Sequence, residues 1–278
     1  MNRPLVLKLG GELVETPAAR ANIAAFAAAT VNVRPLVIVH GGGRAIDAAL
    51  DRRGVAPRKI DGLRVTDATT LEVVVAVLAG SANTELVAAL VAEGVRAVGL
   101  TGADDGLARA ARAGAHRSSR GEAVDLGFVG DPIDVDPTLV TLLTSRGFVP
   151  VVASIGIEEG APGHVAPGPG LLNVNADVMA CRLAAALGDC DLAIAGATAG
   201  VLDREGQSIP LLDLDGINAM IATGAATAGM MAKLDAARAA LSAGVASVRI
   251  IDGRSLDAAH GLDTAAGTRL VAREVTRR

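Results

Sequence analysis

The chain has 278 residues, 51% of them apolar and 20% charged, enough for one large or two modest domains and too apolar for intrinsic disorder. A formal net charge of −4, with no Trp or Tyr and only Phe26, Phe128 and Phe148 as aromatics, excludes the basic, aromatic surface that nucleic-acid binding needs. Cys181 and Cys190 are too few for a disulfide framework. No uninterrupted apolar run approaches the roughly 20 residues of a membrane helix, and no signal-peptide layout is seen, so the sequence predicts a cytoplasmic protein with no membrane partner.

In chain order, six short β-rich runs end in glycine: LVLKLGG (5–11), PLVIVHGGG (35–43), VRAVGLTG (95–102), FVPVVASIG (148–156), CDLAIAGATAG (190–200) and ASVRIIDG (246–253). Between them, Ala-rich stretches with helical spacing cover 17–31, 43–53, 67–93, 175–187 and 229–243. This alternation predicts an α/β fold, a three-layer αβα sandwich around a mostly parallel open sheet. Ligand sites in such a sheet lie beyond the carboxyl ends of the strands, where the glycines fall. The charged, short-period segment 105–135 predicts hairpins over one edge. The Pro/Gly-rich GAPGHVAPGPG (160–170) predicts a lobe junction or mobile loop.

No Gly-Lys dipeptide, no G-x-G-x-x-G after the first strand and no G-x-S-x-G elbow is present. His40, His116, His164 and His260 lack metal-ligand spacing, so no metal site is assigned; His40 reads as a strand-end packing residue and both cysteines as buried filler. Gly10-Gly11 follows Lys8, and Gly41-Gly42-Gly43 precedes a helix; there, backbone N–H groups and a helix dipole can meet an anion. Lysine occurs only at Lys8, Lys59 and Lys233. Lys8 lies in an apolar strand, where its ammonium needs an anion. Lys233, in GMMAKLDAAR, is read in the first turn of a helix opened by Gly229, where a cation opposes the dipole unless an anion lies between. Asp177, in the first turn of a helix after Asn173 and Asn175, is either structural or the carboxylate that orients both lysines; Asn175 reads as the helix cap.

Through KLGG (8–11), VIVHGGG (37–43), DGLRVTD (61–67), VLAGSANTELV (77–87), NVNAD (173–177) and GMMAKL (229–234), the chain resembles the amino-acid kinase family, in its acetylglutamate kinase branch. The resemblance implies the amino-acid kinase fold, with an acceptor-binding and dimerisation lobe at 1–172 and a nucleotide-binding lobe at 173–278. It implies ATP with Mg²⁺ as phosphoryl donor and N-acetyl-L-glutamate as acceptor. The alternatives are another carboxylate kinase of the family or a non-catalytic binding descendant. Lys8 and Lys233 would stabilise the transferring phosphoryl group and Asp177 would position them. Gly10, Gly11, Gly42 and Gly43 would line the phosphoryl and acceptor seat, with Arg64 and Asn173 binding the acceptor. Gly196, Ala197, Thr198, Gly200, Val201, Leu202, Ala225, Ala226 and Thr227 would contact the nucleotide. In one departure, Gly196-Ala197 stands where similar enzymes have Ser- or Thr-Asp, which removes a carboxylate near the nucleotide. Lys59 is given no role unless its segment touches the acceptor. A homodimer through 67–93 is implied, and VVVAVLAG (73–80) is apolar on more than one helical face. Only seven residues precede Lys8, too few for the N-terminal helix of arginine-inhibited members, so insensitivity to arginine and no interlaced hexamer are expected.

Overall fold

The computed structural model describes residues 3–118, 121–159, 170–223, 228–256, 258, 262 and 267–273. The first half alternates as read: β1 (Leu5–Leu9), α1 (Pro17–Val31), β2 (Leu36–His40) and α2 (Gly43–Arg52). A short hairpin, β3 (Lys59–Ile60) and β4 (Leu63–Arg64), turns through Asp61 and Gly62, both at positive φ as a tight hairpin turn requires. One continuous helical rod follows: α3 (Ala68–Val75), a π segment (Ala76–Ala82) and α4 (Asn83–Ala92). Then come β5 (Ala97–Thr101), β6 (Ala108–Arg112), β7 (His116–Arg117), β8 (Ala123–Val124), β9 (Val129–Val135), α5 (Thr138–Ser145), β10 (Val149–Ala153), β11 (Ile155–Glu158) and β12 (Leu171–Val174). The chain continues with α6 (Ala176–Leu187), β13 (Asp191–Gly196), β14 (Leu211–Asp213), α7 (Leu214–Thr223), α8 (Ala228–Ser242), β15 (Ser247–Asp252) and β16 (Gly267–Val271).

Eight strands form the main sheet in the order β14-β16-β15-β13-β1-β2-β10-β5, parallel except where β16 runs against β15. β1 lies at its centre, its Leu5 paired with both Leu36 of β2 and Asp191 of β13. Side chains alternate across the pleat. Leu5, Leu7 and Leu9 enter the core under α1 and α4, while Val6 enters the one under α6 and α8. Three layers result, and the sheet runs unbroken through both halves of the chain. The 105–135 segment does form hairpins, but β6 and β9 also close a four-stranded ring with β11 and β12, whose residues lie well outside that segment. The rod from Ala68 to Ala92 is long and apolar enough to cross a membrane by length and composition, although Asn83 and Glu85 interrupt it. Here Leu71, Val74, Leu78, Leu86 and Leu90 are buried in the fold.

His40 is fully buried, as strand-end packing. Its Nδ1 donates to the Gly41 carbonyl (3.1 Å), leaving Nε2 to accept from Asn83 Nδ2 (3.1 Å), which also donates to Val151 O (2.9 Å). A Cβ on Gly99 would lie 2.1 Å from Asn83 Oδ1, so that strand position is kept bare for the amide. The ring is therefore a neutral tether between the glycine loop and the first residue of α4. Burial pushes its pKa down to about 4, the Gly41 bond opposing only in part. Between the ordinary histidine value of 6.5 and about 4, the unfolded chain binds the proton that the folded chain refuses. Stability is thus expected to fall on acidification through that window, by roughly 3 kcal/mol in full. Denaturant melts at pH 7 and pH 4.5 check this; in His40→Gln the slope should flatten, and an unchanged slope would assign the effect elsewhere.

Candidate active site

The carboxyl ends of β1, β2 and β13, the N-termini of α2 and α6 and the β3–β4 hairpin enclose a cleft of about 520 Å³. Strand alternation turns Lys8 to the α6 side of β1, the side of Val6. There its Nζ meets Asp177 Oδ1 at 2.8 Å, and Lys233 Nζ donates to Asp177 Oδ2, also at 2.8 Å. Asn175 caps α6, its Oδ1 accepting from the N–H groups of Asp177 and Val178, which fixes Asp177 in the first turn. Asp177 is 7% exposed. Burial works against its charge, but Lys8 and Lys233 together hold its carboxyl below the usual range. The lysines thus form a bridged pair, fixed before any ligand arrives. Lys233 is the sixth described residue of α8 and so lies beyond the first turn predicted for it.

The glycine loops meet backbone to backbone. A Cβ on Gly11 would lie 3.1 Å from both Gly42 Cα and Gly43 N, and one on Gly42 would lie 2.8 Å from Leu78 Cδ2. Only side chains without a Cβ let the two loops and the π segment pack this closely. Gly10, Gly11, Gly42 and Gly43 all line the cleft.

At the opposite end, Arg64 is 7% exposed. Its Nη2 donates to Gly43 O (2.9 Å) and contacts Asp47 Oδ1 (2.6 Å), while its buried Nη1 has no partner. Asp47 Oδ2 also accepts from Lys59 Nζ at 2.6 Å. Burial raises the Asp47 pKa, but Lys59 and Arg64 outweigh it and bring the carboxyl below its ordinary value. Asn173 Nδ2 donates to Thr66 Oγ1 (3.2 Å), and that hydroxyl donates to Arg64 O (2.9 Å). The cleft thus carries a fixed double cation at one end and a half-satisfied guanidinium at the other, a fit for an anion with charge at both ends.

A profile of the amino acid kinase family matches residues 3–252. The chain belongs to this family. It is 41% identical over 258 residues to an acetylglutamate kinase of Symbiobacterium thermophilum, covering 91% of this chain and 85% of that protein. It is 42% identical over 255 residues to an acetylglutamate kinase of Sphingopyxis alaskensis, covering 90% and 82%. In fold it matches the N-acetylglutamate synthase of Neisseria gonorrhoeae with a TM-score of 0.81 at 21% identity, over 98% of this chain and 60% of that one. That likeness is one of fold alone.

Of the residues that the family resemblance singles out, Lys8, Asp177, Lys233, the glycines, Arg64 and Asn173 come together in the cleft. So do Gly196, Ala197 and Thr198 at the end of β13. Gly200, Val201 and Leu202 do not line it. Val201 is wholly buried with its N–H on Thr268 Oγ1 (2.8 Å), and a Cβ on Gly200 would lie 2.7 Å from that same hydroxyl oxygen. Leu202 is exposed, in a bridge to Ser208. Ala225, Ala226 and Thr227, like residues 160–169 of the stretch expected to be a lobe junction or mobile loop, lie outside the described residues. No cluster of three or more metal-ligating side chains occurs among the described residues.

The sequence reading missed Glu12 as a cleft residue and Asp47 as the partner of Arg64, and it gave Lys59, which lines the cleft, no role unless its segment touches the acceptor. Asp47 sits on an amphipathic helix, where a carboxylate ordinarily faces water, and nothing local to it points at Arg64.

Replacing Asp177 by Asn leaves two close, largely buried ammonium groups without a counter-charge. Asp177→Asn is expected to lose about 3 kcal/mol of stability. Added pyrophosphate should recover part of it, and thermal melts with and without the anion measure both effects.

Proposed function

We propose that this chain is an acetylglutamate kinase: it transfers the γ-phosphoryl group of ATP to the γ-carboxylate of N-acetyl-L-glutamate, giving N-acetyl-L-glutamyl 5-phosphate and ADP, a step of arginine biosynthesis. The observation that carries this reading is one cleft holding the Lys8–Asp177–Lys233 bridge at one end and the unpartnered Nη1 of Arg64 at the other. A dicarboxylate whose α-carboxylate takes the Arg64 fork presents its second carboxylate toward the lysines. The curated names of the relatives supply the same chemistry.

The acceptor carboxylate is ionised at neutral pH, so the reaction needs no side-chain base. The chain's task is to position two anions that repel each other and to neutralise charge on the phosphoryl oxygens. Lys8 and Lys233 do this as compact point charges, and Asp177 keeps them from moving apart or losing their orientation. Gly11 and Gly43, the latter at the N-terminus of α2, line the same space, and their backbone N–H groups would add fixed dipoles there. Mg²⁺ travels with the triphosphate and supplies further neutralisation of its charge. Among the cleft carboxylates, Glu12, folded over Gly10 at the end of β1, would be available to help hold it. The reading includes a cytoplasmic location for the reaction.

A hydroxylamine trap for the acyl phosphate tests the reaction. Hydroxamate is expected with acetylglutamate and ATP. Product with aspartate, glutamate or carbamate instead would move the activity elsewhere in the family, and no product with any would make the chain a binding protein. Lys8→Ala and Lys233→Ala are each expected to lower kcat about 10²–10³-fold, and Lys8→Arg nearly as much. Asp47→Asn, which frees the Arg64 fork, should raise the acetylglutamate KM about tenfold with kcat little changed.

The reading includes a homodimer. Among the described residues β5 is an edge strand paired only to β10, with half-buried Ala97, Val98 and Leu100, and it flanks the apolar rod in which Ala79 and Val87 are also half-buried. An unpaired edge beside apolar surface is suited to self-association. Sedimentation at micromolar concentration should give twice the 27.8 kDa chain mass, and a stable monomer would remove this part of the proposal.

A further inference from the structure

Glu12 follows the glycine pair directly and opens a short helical turn, Gly11–Leu13. Its carboxylate folds back over the end of β1. A Cβ on Gly10 would lie 2.5 Å from Glu12 Oε1 and 2.6 Å from Oε2, and a Cβ on Gly196 would lie 3.4 Å from Oε1. The carboxylate therefore occupies space that exists because Gly10 has no Cβ, and it rests in ordinary contact distance of the Gly196 strand end. It lines the same cleft as Lys8 and Lys233.

The other acids of the cleft are engaged. Asp177 gives one oxygen to each lysine, and Glu15 gives both of its oxygens to Arg44 at 3.0 and 2.8 Å. Glu12 has no hydrogen bond or ion pair among the described residues. Arg254 is near enough for Glu12 to reinforce its charge, but its guanidinium is committed to Asp252 and to Ala197 O. An unpaired carboxylate in a seat for phosphates repels its own ligand unless a cation comes between them. Ala197, at the neighbouring strand end, supplies no carboxylate that could share the task.

We propose that Glu12 is the protein carboxylate that holds the divalent cation carried by the nucleotide, using the bare floor of Gly10 to reach it. The inference rests on the kinase reading and deepens it: this protein binds the metal–nucleotide complex and discriminates against the free nucleotide. A hard cation held mainly by phosphates and water needs only one or two protein carboxylates.

Calorimetric titration of the full chain with ADP plus Mg²⁺, and with ADP plus EDTA, tests this without turnover. Wild type is expected to prefer the magnesium complex, and Glu12→Gln should cut that preference about tenfold, mainly by weakening binding of the complex. Glu12→Asp, one methylene shorter, should fall between the two. If Glu12→Gln weakens both forms equally, the carboxylate bonds the nucleotide itself and the proposal fails. If it tightens both equally, Glu12 only repels phosphate and the proposal fails. Hydroxamate formation together with an unchanged metal preference would overturn this inference alone, whereas a wild type that binds no nucleotide under either condition would overturn the kinase reading with it.

Discussion

One buried carboxylate held between two ammonium groups sets the design of this molecule. Asp177 can be ionised at so low an exposure only because Lys8 and Lys233 stand on either side, and the lysines can stand so close only because Asp177 separates them. Each member comes from a different element: Lys8 from the central strand, Asp177 from a capped helix start, Lys233 from a second helix packed beside it. The αβα layering is what brings the three to a point. A shift of α6 or α8 against the sheet would break the bridge, so the packing around Val6, Met179, Leu183 and Leu234 is part of the chemistry.

The same device occurs at the far end of the cleft. Asp47 joins Lys59 to Arg64 as Asp177 joins Lys8 to Lys233: two cations share one carboxylate, with net positive charge left over for a ligand. The ends differ in shape. The planar fork of Arg64, with one arm unsatisfied, suits a carboxylate held in one orientation. Paired point charges suit a group whose oxygens move during reaction. The glycine loops lie between these ends, so the position of one reactant is mechanically tied to that of the other.

Much of this was legible from residue types. Lysine is rare here, so its placement beside glycines at strand ends carried weight, and the six apolar runs and five helical stretches that were read each fall within a few residues of an element; α1 spans 17–31 as its spacing predicts, whereas α5, α7 and the short strands β12, β14 and β16 were not read. Arg64 and Asn173 were singled out through the family resemblance and not by spacing. What remained hidden depends on pairings between distant segments. The ring of β6, β9, β11 and β12 joins residues that local periodicity cannot connect. Asp47 and Glu12 look like ordinary solvated acids until the hairpin and the β13 end are placed beside them. Val201 shows the converse: it lies next to cleft residues in sequence, yet β16 draws it into the core.

The central place of β1 also bears on how the chain acquires its shape. β2 follows β1 almost directly in the chain, but the other neighbour of β1, β13, is synthesised only after β3 to β12. Until then an apolar strand keeps one hydrogen-bonding edge open. Pairings so remote in sequence slow folding and expose edges prone to aggregation. The residue that holds the two lysines apart belongs to the helix that delivers β13, so the polypeptide gains its anion seat only as that edge is closed.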